Sequence, residues 1–459
     1  MASTKAPARS AWSGKWAFIL AAAASAVGLG NMWRFPYLAA KYGGGTFLIT
    51  YLVLVFTFGV SLLLLETAFG RKTGQSAIGA FKSFGKKYAF IGIFTSAIPF
   101  IIVPYYCIIG GWVTKYTAAY VLNGAEVVAG GDFFTGFISS NVESYFWMLL
   151  FMAATFIVVA KGVKGGIEKA NLVMMPALIV MAVAIAAYTL TMPGALDGAL
   201  YYLAPDWSKF SPELVIGALG QMFYSLSLAM GIMITYGSYL DKKSSLTQSV
   251  TRIGGFDLGV SFLAGLMIVP AAFVAMGSGE AVAEKSGPSL MFVILPDVFS
   301  GMGQAAGVVG FVFFLLVLFA ALTSAISLTE TCTSIVQDGA GWSRKKSLCA
   351  VIAFIVAMGI IVNSGYNLLS FVEPLGAGTT LLDFCDFLSN SVMMPIAALM
   401  TCIFVGWIIK PKTVADEVRL SGPFRAEKMW TVMVKYIAPV LVVVILVAYV
   451  AQQFGLFVM

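Results

Sequence analysis

Two apolar stretches of this chain are interrupted by residues that a plain membrane-crossing helix does not need. One reads Ser25-Ala26-Val27-Gly28-Leu29-Gly30-Asn31-Met32-Trp33-Arg34-Phe35-Pro36. The other reads Gln221-Met222-Phe223-Tyr224-Ser225-Leu226-Ser227-Leu228-Ala229-Met230-Gly231. Both patterns predict unwound backbone, which at membrane depth is tolerated only where it lines a cavity or is buried in protein. Freed carbonyls there suit a hard cation, and a half-helix N-terminus offers bare N–H groups to a carboxylate. The competing reading is close helix packing, which small residues also permit. Asn31, Arg34 and the matching second interruption favour a ligand site. A third polar group, Leu322-Thr323-Ser324, follows the apolar run Phe311 to Ala321. Its hydroxyls suit an alkali ion, or a bond back to the i−4 carbonyl of their own helix.

The elements that must hold these residues are membrane spans. Of 459 residues, 60% are hydrophobic and 11% charged, with no histidine. A soluble domain carries about 25% charge, so composition excludes that class. The net charge of +7 sits in short loops between apolar runs, which points to membrane orientation and away from nucleic acid. Cys107, Cys332, Cys349, Cys385 and Cys402 show no paired spacing and read as small buried hydrophobes. Without histidine or a cysteine cluster, the usual transition-metal sites are excluded. The polar, basic first fifteen residues carry no cleavable signal pattern.

A span needs about 20 apolar residues. Runs of that length begin near Trp12, Thr46, Tyr88, Tyr145, Ala170, Glu213, Ser249, Gly307, Ser347, Thr380 and Trp430, eleven in all. An amphipathic piece from Pro288 to Phe299 reads as a loop helix. Placing the N-terminus in the cytoplasm puts almost every Lys and Arg on that side and leaves only Arg34, Lys41, Lys209 and Lys285 opposite. The odd count then sends the C-terminus outside. The interrupted spans are the first and the sixth, corresponding members of successive blocks of five, so one block is inverted relative to the other. Broken segments at matching positions are the strongest sequence pointer to a transporter midplane site.

Val27 to Pro36 (VGLGNMWRFP) and Gln221 to Gly231 resemble the signatures of the neurotransmitter/sodium symporter family, and the similarity extends from Arg9 to about Val450, nearest to bacterial amino-acid members. The resemblance implies an all-α integral membrane protein with the LeuT-type fold. Residues 12–190 would form the first five-helix repeat, 213–407 the inverted second, and 430–457 a trailing eleventh helix in one transporter domain, 1–459. The family's twelfth helix is missing, so no oligomeric state follows.

The same resemblance implies two sodium ions. The first would be held by Ala26, Asn31, Ser225 and Asp257, with the substrate carboxylate. The second would use Ala24, Val27, Ala320, Thr323 and Ser324. An amino-acid carboxylate would meet the Leu29 and Gly30 amides and the Tyr106 hydroxyl, its ammonium the Ala26 and Tyr224 carbonyls and Ser227. Ile102, Tyr106, Tyr224, Met230, Ser324 and Leu328 would enclose the side chain. That lining is largely apolar, so a hydrophobic substrate is expected. Met230 replaces a Phe found in the leucine-type relative and favours a wider range, aromatic amino acids included. Gly28 stands where monoamine carriers have Asp, which favours a substrate bringing its own carboxylate. Animal relatives hold a chloride with Tyr, Gln and Ser, matched here by Tyr51, Gln221, Ser225 and Ser261; their helix-seven ligand is a neutral Asn where Asp257 stands, so chloride independence is expected. Ordinary solvated charge beside Arg252 is the competing reading of Asp257.

For gating, the family pattern pairs Arg34 with Asp386 across the outer vestibule, beneath which Tyr106 and Tyr224 form a lid. Arg9 pairs with Asp338 across the inner one, near Trp12, Ser238, Tyr239 and Glu330. Glu66 is expected to satisfy the unwound sixth span and is a candidate to be protonated. Gly166 and Pro176 form the family's Gly-x9-Pro pattern, at which the fifth span unwinds to let water reach the second ion. The expected activity is sodium-coupled symport of hydrophobic L-amino acids across a bacterial-type inner membrane. The alternatives are a non-transporting sensor on the same fold or a carrier of another carboxylate-bearing solute. No nucleophile–base pair, metal cluster or phosphate loop suggests an enzyme.

Overall fold

In hydrocarbon every backbone N–H and C=O must be satisfied within its own segment, so apolar runs of this length become helices. The computed structural model describes residues 11–277 and 288–456. Among them nine helices are long and apolar enough to cross a membrane: Gly45–Thr73, Lys86–Leu122, Glu143–Ala160, Val163–Leu190, Leu246–Met276, Gly303–Ala340, Arg344–Tyr366, Leu381–Ile408 and Glu427–Gln453. The pair Lys15–Ala26 and Leu29–Lys41, bent by 60°, makes up to ten. A further pair, Pro212–Ser225 and Ile232–Gly237, stands where the sixth span is expected, each half too short to count by itself. The described residues contain no β-strand, only an isolated bridge between Gly44 and Pro205. The loop helix expected at Pro288 to Phe299 appears as Leu290–Ser300.

Gly303–Ala340 and Lys86–Leu122 pack most extensively and frame the centre of the bundle. The inner half of the second broken helix lies backbone to backbone on Gly45–Thr73. A Cβ on Gly70 would fall 1.9 Å from the Ile234 carbonyl oxygen, and one on Gly237 would fall 2.3 Å from that of Thr67. Small residues permit this approach where no water drives helices together. The outer half starts conventionally: Pro212 follows Ser211, whose hydroxyl accepts the Leu214 N–H at 3.2 Å.

Candidate functional site

Both interruptions are real breaks. The first helix ends at Ala26, and Val27 and Gly28 run extended before the short turn Leu29–Met32. In the second, residues 226–231 are not helical, and Ser227, Ala229 and Gly231 take positive φ values of 54°, 60° and 75°. Left-handed backbone at two non-glycine residues is costly and persists only where surroundings over-determine it. One such support is Glu66, whose Oε1 accepts the Ala229 N–H at 2.7 Å. Its Oε2 is buried with no hydrogen-bond partner among the described residues. The expected contact between Glu66 and the unwound backbone is therefore present.

The breaks enclose a cavity. Its walls include Ala26, Leu29, Gly30, Ser225, Ser227 and Ser324 on the polar side. Ile102, Tyr106, Tyr224, Met230 and Leu328 close the rest. Every residue expected to touch substrate thus lines one space. Ser25 and Ile232 line it too, and sequence reasoning missed them although both flank the breaks. The Tyr106 hydroxyl lies 3.4 Å from the Leu29 N–H, placing phenol and amide side by side. Gly28 has no room for more: a Cβ there would meet Ser324 Oγ at 2.9 Å and Tyr106 Oη at 3.0 Å.

Beside the cavity lies an acceptor-rich cluster. Asn31 Nδ2 has Ser225 Oγ at 2.9 Å, Asp257 Oδ1 at 2.8 Å and Ser261 Oγ at 2.7 Å. An amide nitrogen carries two hydrogens, so three oxygens cannot all be satisfied by it. Tyr51 Oη donates to Asp257 Oδ2 at 3.0 Å, and Ser225 Oγ donates to Asp257 Oδ1. Asp257 is completely buried, so it is not the solvated charge beside Arg252 that the sequence left open. Arg252 instead stacks on Trp16, 4.7 Å from the ring centroid. The carboxylate touches Tyr51 and Ser225, two of the four residues expected to match the chloride ligands of animal relatives. Gln221 turns away, donating to the Gly30 carbonyl at 3.1 Å. Hard, buried oxygens in this number suit an alkali ion. Among the described residues His, Cys, Asp and Glu form no group of three or more that could hold a metal ion.

The second expected ion set is also buried. Ala24, Val27 and Ala320 are inaccessible, and Thr323 donates to the Phe319 and Ala320 carbonyls at 3.0 Å each. This is the back-bonded arrangement weighed from sequence. It leaves the lone pairs of Thr323 Oγ1 free, so it does not compete with cation binding. Ser324 and Ser227 both donate to the Ser25 carbonyl, at 3.3 and 3.0 Å.

Outside the cavity is a vestibule of about 340 Å³. Tyr224 lines both spaces and separates them. Arg34 and Asp386 face this vestibule but do not form a direct ion pair. Arg34 donates to Tyr449 Oη at 2.9 Å, while Asp386 accepts from Tyr105 at 3.2 Å and Asn390 at 2.6 Å. Each charge has thus found another polar partner, and Tyr449 comes from the trailing helix.

On the opposite side, Trp12 donates through Nε1 to the Tyr236 carbonyl at 3.1 Å and packs on the Tyr236 and Tyr239 rings. Tyr239 donates to Glu330 at 2.9 Å. Arg344 binds Glu330 bidentately at 2.9 and 2.6 Å and the Val159 carbonyl at 3.0 Å. Sequence reasoning counts Arg344 only among the cytoplasmic Lys and Arg residues and misses this pair. Asp338 accepts the Ser76 N–H at 2.7 Å; Arg9, its expected partner, lies outside the described residues. The Gly-x9-Pro segment begins with a π-helical turn, Val163–Glu168, and Pro176 lies inside the following helix. A Cβ on Gly166 would sit 1.9 Å from the Val158 carbonyl oxygen. Glu168 accepts the Ser13 N–H at 3.2 Å, tying the start of this helix to the N-terminal segment.

Residues 9–123 and 138–456 match the Sodium:neurotransmitter symporter family. An uncharacterized sodium-dependent transporter of Bacillus subtilis is 34% identical over 443 residues, spanning 95% of this chain and 96% of its own. One of Methanocaldococcus jannaschii is 36% identical over 449 residues, spanning 94% and 89%. The crystal structure of MhsT in complex with L-phenylalanine matches with a TM-score of 0.85 at 36% identity, over 96% of this chain and 99% of that one.

Proposed function

The chain belongs to the sodium:neurotransmitter symporter family of membrane transporters, and from that premise we propose that it carries hydrophobic amino acids into the cell with sodium. The observation that carries this reading is the cavity between the two breaks. Its far wall is Ile102, Met230 and Leu328, and among the described residues no Asp, Glu, Lys or Arg lines it. A charged substrate side chain would be buried there unpaired, at a cost of several kcal/mol. The backbone end of an amino acid meets different chemistry. Its carboxylate faces the Leu29 and Gly30 amides and Tyr106, and its ammonium the carbonyls of Ala26 and Tyr224 with Ser227. MhsT, solved with L-phenylalanine, supports the inclusion of aromatic substrates.

One sodium binds among Asn31, Ser225, Asp257 and Ala26, completed by the substrate carboxylate, which makes binding of the two mutually dependent. A second binds among Ala24, Val27, Ala320, Thr323 and Ser324 and holds the first broken helix to Gly303–Ala340. The buried charge of Asp257 takes the role of chloride. Tyr224 closes the site from the Arg34–Asp386 vestibule. The Trp12, Tyr239, Glu330 and Asp338 region closes the other side, cytoplasmic by the Lys and Arg bias. Loosening of the turn at Gly166 then admits water to the second ion. Residues 12–190 and 213–407 are the two inverted five-helix repeats, with 430–457 trailing.

The test is uptake of a twenty-amino-acid panel by proteoliposomes. Leu, Met, Phe, Tyr or Trp should accumulate or compete, Asp, Glu and Lys should not, and choline in place of sodium should abolish accumulation. Undiminished uptake in choline, or tight binding of a charged amino acid, rules the proposal out.

A further inference from the structure

A basic hollow lies where Leu381–Ile408 meets Glu427–Gln453, well away from the transport cavity. Lys410, Lys412, Arg419, Thr431 and Lys435 line it, with Glu427 as the one carboxylate among the described residues. The two helices come unusually close here. A Cβ on Gly406 would lie 3.2 Å from Lys435 Cα, and Trp407 Nε1 donates to the Lys435 carbonyl at 3.2 Å. The Lys435 ammonium rests over the Trp407 and Tyr436 rings, at 4.5 and 5.2 Å.

The local charges do not cancel. Arg419 is occupied by Asp416 at 2.8 Å and Glu427 at 2.5 Å, and Lys412 reaches Asp416 at 3.5 Å. Lys410 and Lys435 have no carboxylate within ion-pair reach among the described residues. Four cations against two carboxylates, Asp416 included, leave a surplus of two positive charges. Lys410 also holds a left-handed backbone at φ 66°, a conformation that needs a reason in a non-glycine residue. Below the hollow runs an exposed apolar and aromatic face: Trp407, Ile408, Tyr436, Ile437 and Val440. Aromatic rings at this level mark a membrane interface, and basic pockets between spans on the cytoplasmic side recognise anionic headgroups.

We infer that this hollow binds the phosphate of an anionic glycerophospholipid of the cytoplasmic leaflet, with Lys410 and Lys435 as its two charge contacts and an acyl chain lying along Ile437 and Val440. The charge surplus and the apolar face below it together specify the ligand. A soluble phosphate would use only the first, and a zwitterionic lipid would bring its own cation to a site already rich in them. Simple snorkelling of Lys435 toward water would explain its position but would confer no headgroup selectivity.

The test is native mass spectrometry of the full-length protein in detergent, titrated with phosphatidylglycerol and with phosphatidylcholine. The parent should retain phosphatidylglycerol preferentially. A lysine near a membrane surface contributes about 1 kcal/mol, so Lys410→Gln and Lys435→Gln should each weaken that lipid about fivefold and together about 25-fold. Lys435→Arg, which keeps the charge, should stay within about twofold of the parent, and Lys164→Gln elsewhere on the same face should change nothing. Lys410 is exposed, so its single variant remains informative if the double one does not fold. Equal retention of both lipids, full retention by Lys410→Gln, or a Lys435→Arg variant as weak as Lys435→Gln would overturn the inference. Displacement of the lipid by soluble glycerol phosphate would overturn the lipid assignment as well.

Discussion

Replacing Asp257 by Asn removes one charge from a fully buried cluster while keeping the side chain's shape. Asn keeps one acceptor oxygen for the Tyr51 or Ser225 hydroxyl, and its NH2 can donate to the other once that hydroxyl turns, so loss of folding is not the expected result. A cation seated between Asn31 and Asp257 would lie about 4 Å from the carboxylate charge. At the effective dielectric constant of about 20 that suits protein sites, this attraction is about 4 kcal/mol. Each 1.36 kcal/mol is tenfold, so the variant should need about 10³ more sodium for half-maximal uptake when chloride is absent. The hydroxyls around this position (Tyr51, Ser225 and Ser261) remain. A chloride ion entering among them would restore the missing charge, so added chloride should recover part of the loss. The assay is proteoliposome uptake against sodium concentration, in chloride and in gluconate, for parent and variant. The parent should respond identically to the two anions. A chloride requirement in the parent, or an unchanged sodium dependence in Asp257→Asn, would refute charge replacement.

Met230→Phe should lower affinity for Phe, Tyr and Trp more than for Leu, because a rigid ring replaces a thioether that can repack; competition binding checks the ratio. Arg344→Ala strands the Glu330 carboxylate, completely buried beside Tyr239, and should lower thermal stability by about 3–5 kcal/mol. Thermal unfolding of the purified protein measures this, and Arg344→Lys should recover only part, since one ammonium cannot reproduce the bidentate contact. Glu168→Ala removes the acceptor for the Ser13 N–H, worth about 1 kcal/mol. Hydrogen exchange across Val163–Glu168 should then rise about fivefold, and equal protection in parent and variant would show that this bond does not hold the turn closed.

The sequence alone determined that this is a helical membrane protein and which helices are interrupted, because both facts depend on local composition. A run of about 20 apolar residues has one way to satisfy its backbone in hydrocarbon, and Gly28, Gly30 and Gly231 with their polar neighbours disturb it visibly. Much of the cavity's polar wall was legible for the same reason, as the breaks themselves supply it. Ile102, Tyr106, Ser324 and Leu328 lie outside the breaks and were expected only from the family resemblance. The described helices that pass a length and apolarity test number nine, or ten with the bent pair, against eleven expected. The difference is the sixth span, whose break splits it into halves too short to register.

Partners across the fold were decided by the tertiary structure. Arg34 reads as the mate of Asp386, yet its hydrogen bond goes to Tyr449, 415 residues away. Arg344 reads only as one of many cytoplasmic cations, yet a helix end turns it onto Glu330. Asp257 could be a surface charge or the centre of the ion cluster, and only its burial among Asn31, Tyr51 and Ser225 distinguishes them. Charge type is written in the chain, but its effect depends on distance and dielectric, and packing sets both.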